Sequence, residues 1–206
     1  MDNRGVLAVI SGFSGSGKGT LMKALLEKYD NYALSVSWTT RKPREGEEDG
    51  VSYFFHTQEE FDRHIEEDGF LEYARYVDHS YGTPKQYVFD QLDQGKDVLL
   101  EIEMQGALQV KEKYPDTILI FVTPPDAEEL KRRLIGRGTE DMETIRKRLA
   151  RADEESRGME QYDYLLVNDS IDRCAEELHG VIMAAHARMG NHLELVNNIK
   201  EQMKQF

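Results

Sequence analysis

The sequence predicts an α/β protein: a parallel-sheet core with helices on both faces, interrupted by a small α+β insertion and followed by a basic, hinged segment. Three observations carry this prediction. First, the apolar run Val6-Leu7-Ala8-Val9-Ile10 leads through Gly12-Phe13-Ser14-Gly15-Ser16-Gly17-Lys18-Gly19-Thr20 into the helix-forming Leu21-Met22-Lys23-Ala24-Leu25-Leu26. Strand, glycine-rich turn, lysine and helix in this order make a phosphate-binding loop. Second, the apolar stretches 98–100 and 118–122 read as strands buried on both faces. Third, residues 35–89 mix short strands and helices without crossover spacing, the mark of a separate subdomain.

The bulk properties narrow the function. A chain of 206 residues is long enough for one α/β domain with a well-buried core and insertions. Lys and Arg number 26 against 39 Asp and Glu, a formal net charge of -13. That excludes a general nucleic-acid or anionic-membrane binder, so a phosphate site has to be a local basic patch in an acidic protein. Cys174 is the one cysteine, which forbids an intrachain disulfide and fits a reducing compartment. Met1-Asp2-Asn3-Arg4 is not followed by a signal-peptide or membrane-spanning stretch, so the expected location is cytoplasmic. With no internal repeat or linker, a single domain over 1–206 is expected.

Each element has its own local reason. In the loop, glycines let successive backbone N–H groups converge on phosphate oxygens, Lys18 adds a point charge, and the following helix points its positive end there. The residue after the lysine, usually a Ser or Thr that helps hold Mg²⁺, is Gly19, and Thr20 carries the hydroxyl instead. Residues 35–50 are polar and turn-rich; 51–56, with Tyr53, Phe54 and Phe55, read as a strand. Thr57 and Glu60 form a capping-box pair that starts a helix carrying Phe61 and Ile65 inward. Residues 70–77 alternate like a strand, and Thr83-Pro84 read as N-cap and first residue of a helix running to Leu92.

The core resumes with a strand at 97–103, placing Glu101 and Glu103 at the end that faces the ligand crevice in an open parallel sheet. The strand at 118–122 stops at Pro124-Pro125. Residues 131–151 hold eight basic and three acidic side chains, and Gly136 and Gly138 flank Arg137 as a hinge. Glu129 lies four residues before Arg133, the spacing of a helical ion pair. A last short strand spans 164–167, and the remainder is helical, with Ile182, Met183, His186 and Met189 at helical spacing and the methionines expected as core filler. Leu195, Ile199 and Met203 share one helical face suited to docking or dimer packing. The six histidines have no metal-ligand spacing.

A further pattern is more specific. Thr39-Thr40-Arg41-Lys42-Pro43-Arg44 is followed by Gly46, Gly50, Tyr53 and Phe55. Later come Glu72 in Phe70-Leu71-Glu72-Tyr73, Tyr81-Gly82-Thr83, Gln105-Gly106, Arg137-Gly138-Thr139-Glu140 and Asn168-Asp169. In this order, from about Val6 to about His186, the chain resembles the guanylate kinase family. Taken alone, the arginine loop would be a solvated charged surface; two arginines on a proline-stiffened loop also suit one phosphate.

The resemblance implies a P-loop core over about 1–34, 90–125 and 159–190, a GMP-binding insertion over 35–89, a helical lid over 126–158 and a helical tail over 191–206. It implies Mg²⁺-dependent transfer of the γ-phosphoryl group of ATP to GMP, and to dGMP, with ATP and GMP as partners. ATP binding is expected at Gly12, Ser14, Gly15, Ser16, Gly17, Lys18, Gly19, Thr20 and Asn168. Arg41, Arg44, Tyr53 and Tyr81 match the residues that hold the GMP phosphate. Ser37 and Thr83 match hydroxyls facing guanine O6, while Glu72 and Glu103 match acids accepting from N1–H and the 2-amino group. Lys18, Arg41 and the lid arginines Arg133, Arg137 and Arg148 would stabilise the transferring phosphoryl group, and Glu101 would lie in the Mg²⁺ shell, through water. Glu101 and Glu103 both stand where the pattern usually has Asp. Competing readings exist for several positions: a cross-strand ion pair for Glu72, a solvent-facing strand end for Glu103, and a strand-to-helix turn for Asn168-Asp169. Trp38 either packs or meets nucleotide.

Overall fold

The computed structural model describes residues 4–76, 78–136 and 141–206. In chain order, β1 (Leu7–Gly12) turns into α1 (Lys18–Lys28), and β2 (Tyr32–Leu34) follows. Next come β3 (Trp38–Thr39), β4 (Phe54–Phe55), α2 (Gln58–Glu66), β5 (Phe70–Tyr76) and β6 (His79–Pro84). The chain continues through α3 (Lys85–Asp93), β7 (Asp97–Glu101), α4 (Met104–Lys113) and β8 (Ile118–Thr123). Then follow α5 (Ala127–Gly136), α6 (Met142–Ser156), β9 (Tyr164–Val167), α7 (Ile171–His186) and α8 (Leu193–Met203).

Five parallel strands lie in the order β2-β7-β1-β8-β9, with Val9 opposite Leu100 on one side and Leu119 on the other. Side chains alternate across the sheet, so each apolar run feeds two cores. Ala8, Ile10, Ile118 and Ile120 pack against Leu21 and Leu25 of α1 and Leu178 and Ile182 of α7. Leu7, Val9, Val98 and Leu119 pack against Val88 and Leu92 of α3 and Ala107 and Val110 of α4. Each such large aliphatic side chain, fully buried, contributes roughly 1.5–3 kcal/mol over leaving it exposed. At the opposite end from the glycine turn, buried Asp97 accepts from Val6 N (2.8 Å) and Asn31 Nδ2 (2.9 Å) and meets His186 Nε2 at 2.7 Å.

The insertion is a four-stranded mixed sheet, β4-β3-β6-β5, with β3 and β4 parallel and the β3–β6 and β5–β6 pairs antiparallel. Its period-2 alternation sorts the residues. Trp38 opposite Gly82 faces the insertion's own core, where its ring stacks on His56 and His64 and meets Phe70 edge-on. Trp38 therefore packs. Tyr81 and Thr83 project from the other face. The Thr57–Glu60 capping box is formed, and Phe61 is fully buried beneath α2.

Three local expectations differ. Only Phe54–Phe55 of 51–56 is strand, because a turn closed by Val51 N and Ser52 N on Glu48 O consumes the preceding residues. β6 runs on through Pro84, which sits opposite Phe70, so α3 begins at Lys85 and the Thr83 hydroxyl is used across the sheet instead of as a cap. β7 stops at Glu101, and Glu103 is the residue preceding α4. Among the methionines, Met183 is exposed while Ile182 is buried, since one residue's step around a helix moves a side chain off the core face, and Met189 is exposed beyond the end of α7.

Helices α5 and α6 pack over Phe13 and Phe121 through Leu130, Leu134, Ile145 and Ala152. Leu193, Leu195, Ile199 and Met203 on α8 remain exposed. Among the described residues, no helix is long and apolar enough to cross a membrane.

Candidate active site

A cleft of about 270 Å³ opens at the C-terminal ends of the central strands, lined by Ser14, Gly15, Gly17, Lys18, Gly19, Thr20 and Glu101. Helix α1 starts at Lys18, directly behind Gly17, whose φ of 91° is left-handed. A Cβ at Gly17 would also lie 2.6 Å from Asn168 Nδ2, so glycine is required twice over. The Ser16 carbonyl accepts from Asn168 Nδ2 (2.8 Å) and Arg133 Nη1 (3.3 Å). In a trans peptide the C=O and N–H point opposite ways, so this clamp turns the Gly17 N–H to the other side of the loop. Among the described residues, buried Ser16 Oγ has no hydrogen-bond partner. Lys18 Nζ lies on the carbonyls of Gly12 (2.7 Å) and Phe13 (3.2 Å), and Arg148 of α6 donates to Ser14 Oγ at 2.8 Å.

The insertion's other sheet face gathers a second set of polar side chains. Arg41 makes a two-pronged pair with Glu47, both contacts at 2.9 Å, and stands 5.4 Å from the Tyr53 ring centroid. Glu47 also accepts from Arg44 N at 2.8 Å. The Arg41 guanidinium, then the Arg44 N–H, hold the Glu47 carboxyl down at about 2. Arg41, its side chain only 11% exposed, is held above its ordinary value by Glu47 and, after the opposing effect of burial, by Tyr81. Burial, then neighbouring Tyr81, push the Tyr53 hydroxyl up, so it stays a neutral donor near pH 7. Deeper in, Glu72, 5% exposed, accepts from Thr83 Oγ1 at 2.6 Å. Burial raises its carboxyl, against the lowering effect of Thr83 and Lys113. No arginine or lysine pairs with it directly among the described residues, so the cross-strand ion pair is not formed.

The end of β7 lies near both groups. Glu101 lines the loop cleft, where burial raises its carboxyl and Lys18 opposes the rise. The same carboxylate acts electrostatically on Tyr53 of the insertion. Two residues later, Glu103 accepts from Arg151 Nη2 of α6 at 2.6 Å, and Arg151 Nε reaches Glu155 at 2.9 Å. One acidic strand end thus lines the loop cleft, lies near the insertion and is bound by α6.

Of the residues singled out in the sequence, Lys18, Thr20, Ser14 and the loop glycines fall together, as do Arg41, Tyr53 and Tyr81. Ser37 precedes β3, where its carbonyl takes the Phe54 N–H, and Arg44 lies exposed on the same loop. Asn168 lies buried behind the loop with its amide on Ser16, and Arg133 pairs with Glu129 at 2.6 Å and donates to Asn168 O at 2.8 Å. Both brace the loop. Arg137 lies outside the described residues. Sequence reasoning missed Glu47 and Arg151. Glu47 carried a signal, an acid three residues past an arginine in a tight turn, whereas nothing local marks Arg151.

Comparison with known proteins bears on this geometry. A family model described as guanylate kinase matches residues 4–185. The chain is 50% identical over 199 residues to a guanylate kinase of Caldanaerobacter subterraneus, covering 97% of each. It is 54% identical over 190 residues to one from Latilactobacillus sakei, covering 92% of this chain and 94% of that one. Over 208 aligned positions it is 51% identical to one from Streptococcus agalactiae, with both chains fully covered. The crystal structure of guanylate kinase from Anaplasma phagocytophilum superposes with a TM-score of 0.73 at 34% identity, covering 90% of this chain and 88% of that one.

Proposed function

The chain belongs to the guanylate kinase family, whose reaction takes ATP and GMP to ADP and GDP, and we propose that its two groups of side chains are the donor and acceptor halves of one phosphoryl-transfer site. The observation that supports this most is Glu101, which lines the loop cleft beside Lys18 and is near enough to the insertion to act electrostatically on Tyr53. Phosphates held at the two places face each other across that carboxylate.

On this reading Lys18 exchanges the Gly12 and Phe13 carbonyls for the β- and γ-phosphate oxygens of ATP, joined by the Gly17 N–H and the start of α1. Arg41 and Arg44, with the Tyr53 and Tyr81 hydroxyls, hold the GMP phosphate. Ser37 and Thr83 meet guanine O6, and Glu72 and Glu103 accept from N1–H and the 2-amino group. Adenine lacks that pair of donors and would set an acceptor against a carboxylate; a site built on buried hydrogen bonds rejects such an analogue by roughly 10⁴-fold in favourable cases. The attacking oxygen belongs to a phosphate already ionised near neutral pH, so alignment and charge stabilisation replace a strong general base. Arg148, with Arg133 behind the loop and with Arg137, supplies cations to the moving group.

The donor set fits Mg²⁺. Glu101 and Thr20 line the cleft, and no group of three acids, histidines or cysteines forms a cage among the described residues. That suits an ion ligated mainly by ATP phosphate and water. When bound, it neutralises charge between the β- and γ-phosphates. A cytoplasmic location and pairing of two copies through the apolar α8 face complete the reading. The test of function is ADP release measured with GMP, dGMP, AMP and UMP as acceptors. GMP should exceed AMP in kcat/KM by about 10³-fold or more; equal use of AMP would overturn the assignment.

A further inference from the structure

Two acids proposed to read guanine sit on different elements, yet both converge on the first turn of α4. Glu103 immediately precedes that helix, and Gly106 lies three residues on, on the same helical face. A Cβ at Gly106 would stand 2.6 Å from Glu72 Oε2 and 3.1 Å from its Cδ, so the backbone of α4 is the floor against which Glu72 rests. Glu72 is fixed from several directions: by this floor, by Thr83 and by burial. Glu103 is not. It has no capping bond to its own helix, and its side chain is largely exposed. What holds it is Arg151, which belongs to a different body, the helix α6 that also carries Arg148 to the phosphate loop.

The contact has a definite shape. Arg151 Nη2 takes Glu103 Oε2 at 2.6 Å, while its Nε is occupied by Glu155 Oε1 at 2.9 Å. One arginine is thus stretched between an acid on its own helix, which sets its rotamer, and an acid at the end of β7. A guanidinium fork fixes direction as well as distance, which a lysine ammonium cannot do equally well. Pinning one carboxylate oxygen orients the other, and two lone-pair directions remain there for N–H donors.

We propose that Arg151 is a positioning residue for acceptor recognition: by fixing Glu103 from α6, it makes reading of the guanine 2-amino edge depend on the helix that brings Arg148 to the donor phosphates. The coupling is one of position: α6 sets where the base-reading carboxylate stands, and donor binding does not depend on it. This inference rests on the proposed guanine contact of Glu103, and the experiment separates the two.

The measurement is steady-state kcat and KM for GMP, for IMP (which lacks the 2-amino group) and for ATP. The full-length variants are Arg151→Met, Arg151→Lys, Glu103→Gln and the double variant Arg151→Met/Glu103→Gln, each checked for an unchanged melting profile. Arg151→Met is expected to raise KM for GMP about tenfold and to narrow the GMP-over-IMP preference by a similar factor. KM for ATP should stay within about twofold, since a lost positioning contact on the acceptor side leaves uniform donor binding intact. Arg151→Lys should recover part of the loss, and the double variant should be no worse than Glu103→Gln alone. If Glu103→Gln narrows the GMP-over-IMP preference and Arg151→Met does not, the coupling is wrong while the guanine contact stands. If Glu103→Gln leaves that preference untouched, the guanine contact falls and takes the coupling with it. Equal rises in both KM values for Arg151→Met, or additive losses in the double variant, would make Arg151 merely structural and overturn the proposal.

Discussion

Glu72 carries opposite demands in one side chain. Burial pushes its carboxyl above the ordinary value, so holding it ionised costs stability at every pH above its folded-state pKa. Acidification relieves that cost. Glu72→Gln keeps an oxygen for Thr83 but carries no charge, so it should melt no lower than the parent at pH 7.5, with the difference shrinking as pH falls. The same change should raise KM for GMP roughly 10- to 100-fold, the scale of a lost hydrogen bond to a charged group, and leave KM for ATP nearly unaltered. Thermal melts against pH beside two KM values test both halves; a variant that is destabilised and binds GMP normally would refute them. Glu47 is the mirror case. Its folded value near 2 lies below the ordinary 4.5, so its contribution is fully present above about pH 4.5 and is lost as pH falls toward 2. The ¹³C shift of its carboxyl should titrate near 2 and move toward 4.5 in Arg41→Met.

Among the elements, α2 shows how a short helix in a small sheet is specified. Nine residues are too few to be stable alone, and this helix is fixed by its reciprocal Thr57–Glu60 cap and by Phe61 stacked on Phe70 at 4.5 Å. Thr57→Ala should therefore cost about 1 kcal/mol in a denaturant melt; a change under a few tenths would mean the cap is redundant. The phosphate loop is specified differently. Its turn is written in local glycines, but its final shape depends on Asn168 and Arg133, residues 152 and 117 positions from the Ser16 carbonyl they clamp.

For the molecule as a whole, an acidic chain must bring two phosphate-bearing substrates together. On the proposed reading it does so with cations from three places: the loop (Lys18), the insertion (Arg41, Arg44) and α6 (Arg148). On that reading Glu101 would hold a divalent ion through water once ATP is present. EDTA should thus abolish turnover while calorimetry still detects GMP, because the acceptor pocket's contacts come from the protein itself. Loss of GMP binding on chelation would place the ion in the acceptor site instead.

The amino-acid order alone settled whatever depends on neighbours a few residues apart: the parallel strands from continuous apolar runs, the phosphate loop from its glycines and Lys18, and the Thr57 cap. Even the misplaced start of α3 was a local ambiguity, since Thr83-Pro84 suits a cap and a strand end alike. Only the tertiary structure decided which partner each charged or polar group takes: Thr83 on Glu72, Arg151 on Glu103, Trp38 turned inward between two histidines. Those choices join residues far apart in the chain, and their energies come from burial and direction that exist only after folding.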